Sequence, residues 1–398
     1  MPGQPLEGAR ILDLSRMLTG GYGAMLLGDM GAEVIKIEPP DGGDPLRQMP
    51  PHFVEGESAY FLSINRNKKS VALDLRGREG QAIFHTLVRK SDVVFDNFRP
   101  GILEKLAADY ETLRKVNPAV ISCSISSFGA SGPYADQPAF DLTIQALSGA
   151  MSYMGEPGRV PVRMGIPMGD LAGSMFAAFS IAAALYQRGK TGEGRRIDLS
   201  LLDCLVSMHT YVAQYFFSGG QVAGPIGSGH MSVVPYGAFA TKDKPLVIAI
   251  FVEKFWKGLC ETIGDPGMAA DGRLATTAGR LAHRDEVNGR IQEKLLGKTR
   301  AEWIGLLMKA QIPCAPILSI DEVFEDPQVL HRDMKIEVLH PRCGAVTMVG
   351  DPVKLTPPSG RPPAPPPLLG QHTDDVLTSL AGLGPDDLKR LREKKIVG

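Results

Sequence analysis

Short apolar runs alternate with amphipathic stretches over the first two hundred residues. Residues 10–14 (RILDL) read as a strand. A loop and helix follow, SRMLTGGYGAMLLGDMG, with Gly20, Gly21 and Gly23 placed at the turn. Residues 32–38 (AEVIKIE) make a second strand that ends on an acid. Strand, glycine turn, helix and strand form a βαβ unit. Further strands are expected at 71–75, 92–95 (DVVF), 120–125 (VISCSI) and 196–199. Helices are expected over 77–90, 103–116, 141–150 and 201–217. Strands this apolar are buried on both faces, which predicts a Rossmann-like α/β domain built on a parallel sheet.

The longest apolar stretch, 171–187, has no charge, no proline and one glycine. It reads as a buried helix with Asp170 at its N-cap and Gly169 permitting the turn before it. Free N–H groups hold an N-cap carboxylate ionised. Asp170 is then either a plain cap, the commoner role, or an anionic nucleophile. In the second case the N–H groups near Gly169–Ala172 would serve as oxyanion donors. Seventeen residues is the lower limit for a membrane span. The stretch contains serines and small residues, and it reads as core.

The same pattern divides the chain. Residues 1–218 form the first part of a large α/β domain, and glycine-rich 219–232 a linker. Residues 233–320 form a smaller α+β domain, with strands near 238–240, 246–250 and 316–318. Its helices fall near 255–263, 284–296 and 299–310. Residues 321–398 return to the large domain through a proline-rich extended arm at 351–367 and a helix at 385–394.

Composition narrows the chemistry. The 398 residues carry a net charge of −1, which argues against nucleic-acid or membrane-surface binding by bulk charge. Five scattered cysteines with no C-x-x-C pair fit a reducing, cytoplasmic setting. The N-terminus shows no basic region followed by an apolar run, so no signal peptide is read. The dinucleotide fingerprint fails, because Leu26 stands where its third glycine belongs. Glu38 then reads as a strand-end carboxylate in a solvated loop rather than a ribose ligand. No pair of histidines has metal-ligand spacing, and no metal is expected. His230, within GSGHMSVVPYGAF, is the histidine to watch. Arg66, Lys68 and Lys69 precede one strand, while Arg99 and Lys105 flank a helix start. Together they suit a ligand with a nucleotide phosphate and a long arm.

These stretches resemble the class III CoA-transferase family, which includes formyl-CoA transferase, carnitine CoA-transferase and the α-methylacyl-CoA racemases. The pieces are LEGARILDLSRMLTGGYGAMLLGDMGAEVIKIEPPDGGD, INRNKKSVALDL, DVVFDNFRPGILEKL, NPAVISCSISSFGASGP, GIPMGDLAGSM, RRIDLSLLD, VVPYGAFATKD and PPPLLGQHT. INRNKKS, GHMSVVPYGAF and PPPLLGQHT look closest to the dicarboxylate branch, such as succinate–hydroxymethylglutarate CoA-transferase.

The resemblance puts the family nucleophile on Asp170. It implies transfer of CoA from an acyl-CoA donor such as succinyl-CoA to a short carboxylic or dicarboxylic acid. The route runs through an aspartyl anhydride and an aspartyl-CoA thioester, with no resident cofactor. CoA contacts fall on Leu18, Thr19, Leu73, Asn97, Phe98, Arg99, Lys105 and Phe140. Pro39 and Pro138 stand where relatives carry basic residues, so Arg47 or Lys68 would substitute. Arg16, Arg47 and His230 are candidates for the far end of the acid, and residues 224–229 for a shielding loop. The expected assembly is an interlocked homodimer. Two alternatives remain. In a racemase or isomerase, the base histidine would stand at Phe140 and the glutamate near Val252 or Glu253. A CoA-binding subunit without turnover is opposed by Asp170.

Overall fold

The six apolar runs become one parallel sheet in the computed structural model, which describes residues 3–356, 358 and 362–398. The strands are β1 (Arg10–Asp13), β2 (Glu33–Glu38), β3 (Lys68–Ala72), β4 (Val93–Asp96), β5 (Ile121–Ser126) and β6 (Arg195–Ser200). Their order is β3-β2-β1-β4-β5-β6, with every neighbouring pair parallel. This is the doubly wound order, which reverses direction between β1 and β4.

Successive strand residues point to opposite faces, and each face has its own core. Leu12, Ile35, Val71 and Val94 pack with Phe84 and Leu87 of helix α2 (Arg78–Val88). Leu377 and Leu391 from the C-terminal helices Thr373–Ala381 and Pro385–Glu393 join them. Ile11, Val34, Val93 and Ile121 pack on the other face with Ala24 of α1 (Met17–Asp29) and Ile181 of α5 (Met168–Thr191). Helices α3 (Tyr110–Val116) and α4 (Asp141–Leu147) precede α5, and α6 (Leu201–Ser207) follows β6.

The chain divides into two units. The first comprises Met1–Ala150, Met164–Tyr211 and Gln328–Gly398, and the second Met151–Arg163 and Val212–Pro327. The second holds an antiparallel sheet of Tyr236–Phe239, Leu246–Ala249 and Cys314–Pro316. Its core of Leu246, Ile248, Trp256, Leu259, Ile291 and Leu307 is covered by helices Glu253–Thr262, Arg284–Leu295 and Arg300–Lys309. The expected linker at 219–232 falls inside this unit.

Several expectations are corrected. Gly20, Gly21 and Gly23 lie within α1, not at the turn before it. They permit close packing: a Cβ on Gly23 would stand 3.2 Å from the Ser174 carbonyl oxygen of α5. The third strand begins at Lys68, three residues early, so Lys68 is a strand residue. The hairpin Lys335–His340 with Gly344–Val349 was not anticipated in the return segment. Helix α5 is buried only on its inner side. Met175, Phe176, Phe179 and Tyr186 are exposed along the other. By length and composition α5 could cross a membrane, yet its inner face is occupied by α1 and the sheet. The expected arm at 351–367 includes 357 and 359–361, which lie outside the described residues. Beyond them Ala364 pairs with Asn67 through Asn67 N–H to Ala364 O at 3.0 Å.

Candidate active site

Strands that run parallel end on one side of the sheet, and a crevice opens where their order reverses. Here that point lies between β1 and β4. The turn after β1, Ser15–Arg16–Met17, is held from several directions. Asn97, just past β4, accepts from Arg16 N–H at 2.8 Å and donates to Arg16 O at 2.7 Å. Lys36 Nζ donates to Ser15 O at 2.7 Å. Met17, at φ 60°, donates its N–H to Asp44 Oδ1 at 3.2 Å. A left-handed methionine is costly, so the turn persists because these neighbours determine it.

The charges that brace this turn are buried. Lys36 Nζ lies 2.9 Å from Asp44 Oδ2, and Lys68 Nζ 3.2 Å from Asp13 Oδ2. Burial works against the charge on Lys36, but Asp13, Asp44 and Glu38 outweigh it and hold its pKa above the ordinary lysine value. Lys68 is less well compensated, and burial brings it down to about 8.

The braced turn delivers Thr19 to Asp170. Thr19 Oγ1 donates to Asp170 Oδ1 at 2.5 Å. Ser174 Oγ, one turn along α5, donates to Thr19 O at 2.6 Å. Between them Gly173 has no side chain, and a Cβ there would stand 2.4 Å from Leu201 Cδ2 and 3.3 Å from Thr19 Cγ2. On the other side, Asp141 Oδ1 accepts from Gly169 N–H at 2.8 Å and Asp170 N–H at 3.3 Å. Gln145, fully buried, donates to Asp141 Oδ2 at 2.6 Å and accepts from Met164 N–H at 2.9 Å.

Three expectations fail at this point. Asp170 is the third residue of α5 rather than its N-cap. Of the amides nominated as oxyanion donors, Gly169 and Asp170 are taken by Asp141, and Leu171 N–H donates to Pro167 O at 3.0 Å. Nor does the helix start hold the carboxylate at low pKa. Burial pushes Asp170 up to about 6; the Thr19 hydrogen bond opposes the rise, and the Asp141 charge adds to it. Near neutral pH Asp170 is mostly an ionised, poorly solvated carboxylate, a good nucleophile. Tyr60 senses the same pair: burial raises its phenol, and Asp170 and Asp141 raise it further.

At the carboxyl ends of β1, β2 and β3 lies a cleft of about 350 Å³, whose lining includes neither Thr19 nor Asp170 and whose apolar walls belong to the sheet face opposite α5. Leu73, Phe98, Arg16, Arg76 and Pro39 are among its walls. The Arg16 guanidinium sits 5.1 Å from the centre of the Phe98 ring. Leu18 and Thr19 occupy the first turn of α1, and both are buried. Asn97 spends its amide on the Arg16 backbone. Arg99 and Lys105 are exposed and outside the lining, and Phe140 is 76% exposed just before α4.

The basic substitutes proposed for Pro39 and Pro138 are committed elsewhere. Lys68 is enclosed by Asp13, Asn65 Oδ1 and Gly21 O. Arg47 is buried, bonded to both Glu38 oxygens at 2.7 Å and to Pro367 O at 3.1 Å. Glu38 is therefore a buried ion-pair partner, not a solvated strand end. His230 lies in the second unit, its ring 5.3 Å from Tyr236 and 5.6 Å from Phe251.

Sequence reasoning missed Asp141, Gln145 and Tyr60. Asp141 left a trace, being the acid of PAFDLTIQ that follows the racemase histidine position. Nothing local links it to residue 169. The racemase alternative weakens further. Glu253 is held by Arg280 at 2.8 and 3.0 Å, and that bond lowers its pKa, which suits an ion-pair partner rather than a base.

A family model described as CoA-transferase family III matches residues 6–373. The chain is 40% identical to succinyl-CoA:glutarate CoA-transferase of Mus musculus over 94% of its own length and 86% of that protein. It is 38% identical to acetyl-CoA:oxalate CoA-transferase of Acetobacter aceti, covering 92% and 93%. A crystal structure of a CAIB/BAIF family protein from Brucella suis superposes with a TM-score of 0.85 at 32% identity, covering 95% of this chain and all of that one.

Proposed function

The chain belongs to CoA-transferase family III and is an acyl-CoA:carboxylate CoA-transferase; from that premise we propose that Asp170 carries the acyl and CoA groups between donor and acceptor. The observation that supports this reading is the Asp170 carboxylate itself. It is partly buried, raised to about 6, aligned by Thr19 and backed by Asp141. An ionised carboxylate attacks a thioester without a general base, and thioester exchange asks mainly for proximity and exclusion of water.

We assign the cleft at the ends of β1–β3 to the CoA portion. Leu73 and Phe98 offer apolar contact, and Arg76, exposed but paired with Asp74, is the basic wall residue left for a phosphate. The acceptor is a short dicarboxylate, in keeping with the glutarate and oxalate in the relatives' names. Arg16 is exposed at the mouth of the cleft and is the better placed candidate for its distal carboxylate. Arg47 is already paired. The test is incubation with succinyl-CoA and a panel of C2–C6 acids, following new CoA esters by mass. Hydroxylamine trapping should convert Asp170 alone to a hydroxamate. Trapping at another carboxylate, or α-deuterium exchange without acid exchange, would refute the assignment.

We further propose a homodimer. Met175, Phe176, Phe179 and Tyr186 form one exposed stripe along α5, an apolar face that association would cover. Sedimentation should give a dimer that Phe179→Glu weakens. A wild-type monomer at micromolar concentration sinks the proposal.

A further inference from the structure

The fold treats the two oxygens of Asp170 differently. Oδ1 accepts the Thr19 hydroxyl at 2.5 Å, a length expected for an O–H bond to a charged acceptor. Thr19 is itself pinned through its carbonyl by Ser174. The first amides of α5 are occupied by Asp141 and Pro167. Among the described residues, Thr19 is the side chain that donates to this carboxylate.

From this asymmetry we propose that Thr19 is a catalytic residue. It marks Oδ1 as the oxygen that stays on the enzyme, leaves Oδ2 to attack, and donates to Oδ1 whenever the aspartyl carbon is itself attacked. The inference rests on transfer through Asp170 as proposed above.

The atoms balance as follows. Oδ2 attacks the donor thioester carbon, the C–S bond breaks, and CoA leaves as thiolate. The thiolate adds to Asp170 Cγ, placing negative charge on Oδ1 opposite the Thr19 hydroxyl. The Cγ–Oδ2 bond then breaks, and the donor acid departs carrying that oxygen. The acceptor carboxylate adds to the same carbon, charge again gathers on Oδ1, and thiolate leaves. Finally thiolate attacks the acceptor acyl carbon and frees Asp170, which now holds one oxygen from the acceptor. Water supplies nothing, and no oxidant or net proton is needed. Each turnover replaces one oxygen and spares Oδ1, provided the carboxylate cannot rotate between turnovers. A donor fixed on the developing oxyanion acts without reorganisation, which is where such groups are most effective.

Isotope tracing tests this directly. The enzyme is turned over many times with succinyl-CoA and glutarate labelled with ¹⁸O at all carboxyl oxygens. The tryptic peptide 164–188 contains one acidic side chain, Asp170, and is weighed. Wild type should carry one ¹⁸O, however long the reaction runs. Thr19→Val, taken to the same number of turnovers, should climb to two and lose roughly 10²-fold in kcat. Thr19→Ser should restore the single label and most of the rate. A single label in Thr19→Val, or two in wild type, overturns the role of Thr19 while leaving transfer through Asp170 intact. No label in wild type overturns the covalent route itself, and this inference with it.

Discussion

The two units keep opposite kinds of interior. Almost every buried polar or charged side chain among the described residues lies in the α/β unit: Asp13, Lys36, Glu38, Asp44, Arg47, Lys68 and Asp96, with many serines. The antiparallel unit buries only Thr241 and Arg280. Its core is otherwise the apolar set around Trp256. Buried charge is a poor source of stability, since desolvation offsets most of the attraction. Its concentration beneath the β1–α1 turn has a different explanation. The web fixes the backbone of Ser15, Arg16 and Met17, and hence the place of Thr19. The second unit has no such turn to hold, and it is packed with hydrocarbon.

Substitutions sharpen this contrast. Asp170→Ala should lower transfer by at least roughly 10⁴-fold, as loss of a nucleophile does elsewhere. Its thermal midpoint should not fall, since removing a raised carboxylate removes a desolvation cost. A large drop in Tm would make Asp170 a structural cap. Next comes Lys36→Met, which leaves Asp13 and Asp44 buried beside an apolar chain. A loss of about 3–5 kcal/mol in denaturant unfolding is expected. Arg280→Met is the matching change in the second unit. Arg280 is fully buried and also bonds Val234 O at 2.9 Å, but its partner Glu253 is half-exposed and can turn to water. We expect a smaller loss of about 2 kcal/mol. If Arg280 proves costlier than Lys36, the contrast between the units is wrong.

Proton effects are smaller. A carboxylate raised to about 6 stays protonated to higher pH than an ordinary aspartate. The rate kcat/KM should therefore fall about tenfold between pH 7 and 5, roughly 1.4 kcal/mol. For stability the sign is reversed: the raised folded value favours the folded protein below the unfolded carboxyl range near 4, and that contribution is lost as pH rises through 6. Asp170→Asn should accordingly gain stability over wild type above pH 6 and not below 4. Burial also pushes Asp96 up to about 6, so the rate profile is to be repeated in Asp96→Asn. A wild-type profile flat from pH 5 to 7 excludes Asp170 as the titrating nucleophile. The smallest effect is expected at Gly23→Ala. The new methyl meets backbone at 3.2 Å, and α1 must shift by a few tenths of an ångström. A cost of about 1 kcal/mol is expected, with a measurable loss of rate because Thr19 rides on α1.

The sheet and its strand sequence were legible because continuous apolar runs have few other uses. The motif around Asp170 singled it out as a candidate, and the structure sets it near the start of α5 against Thr19. What the sequence hid was pairing across distance. Arg47 and Lys68 read as free basic residues because nothing local shows that Glu38, nine residues before Arg47, and Asp13, far before Lys68, are buried against them. Asp141 was hidden likewise: its bonds to Gly169 and Asp170 exist only once α4 and α5 meet. The glycines of α1 were misplaced for a related reason. A glycine spared for close helix packing and one spared for a turn look identical in one dimension.

The interruption of the large unit by the small one sets a timetable for biosynthesis. After residue 211 has emerged, the ribosome must read through to the helix Thr373–Ala381 before Leu12, Ile35 and Val71 gain their full cover. At ordinary elongation rates that is roughly 10–30 s of waiting with a sticky surface uncapped. The inserted unit, by contrast, is nearly contiguous and can finish early. Nascent chains arrested near residue 370, before the helix Thr373–Ala381 is made, should thus hold a protease-resistant inner fragment while the polypeptide before residue 212 is still being cut.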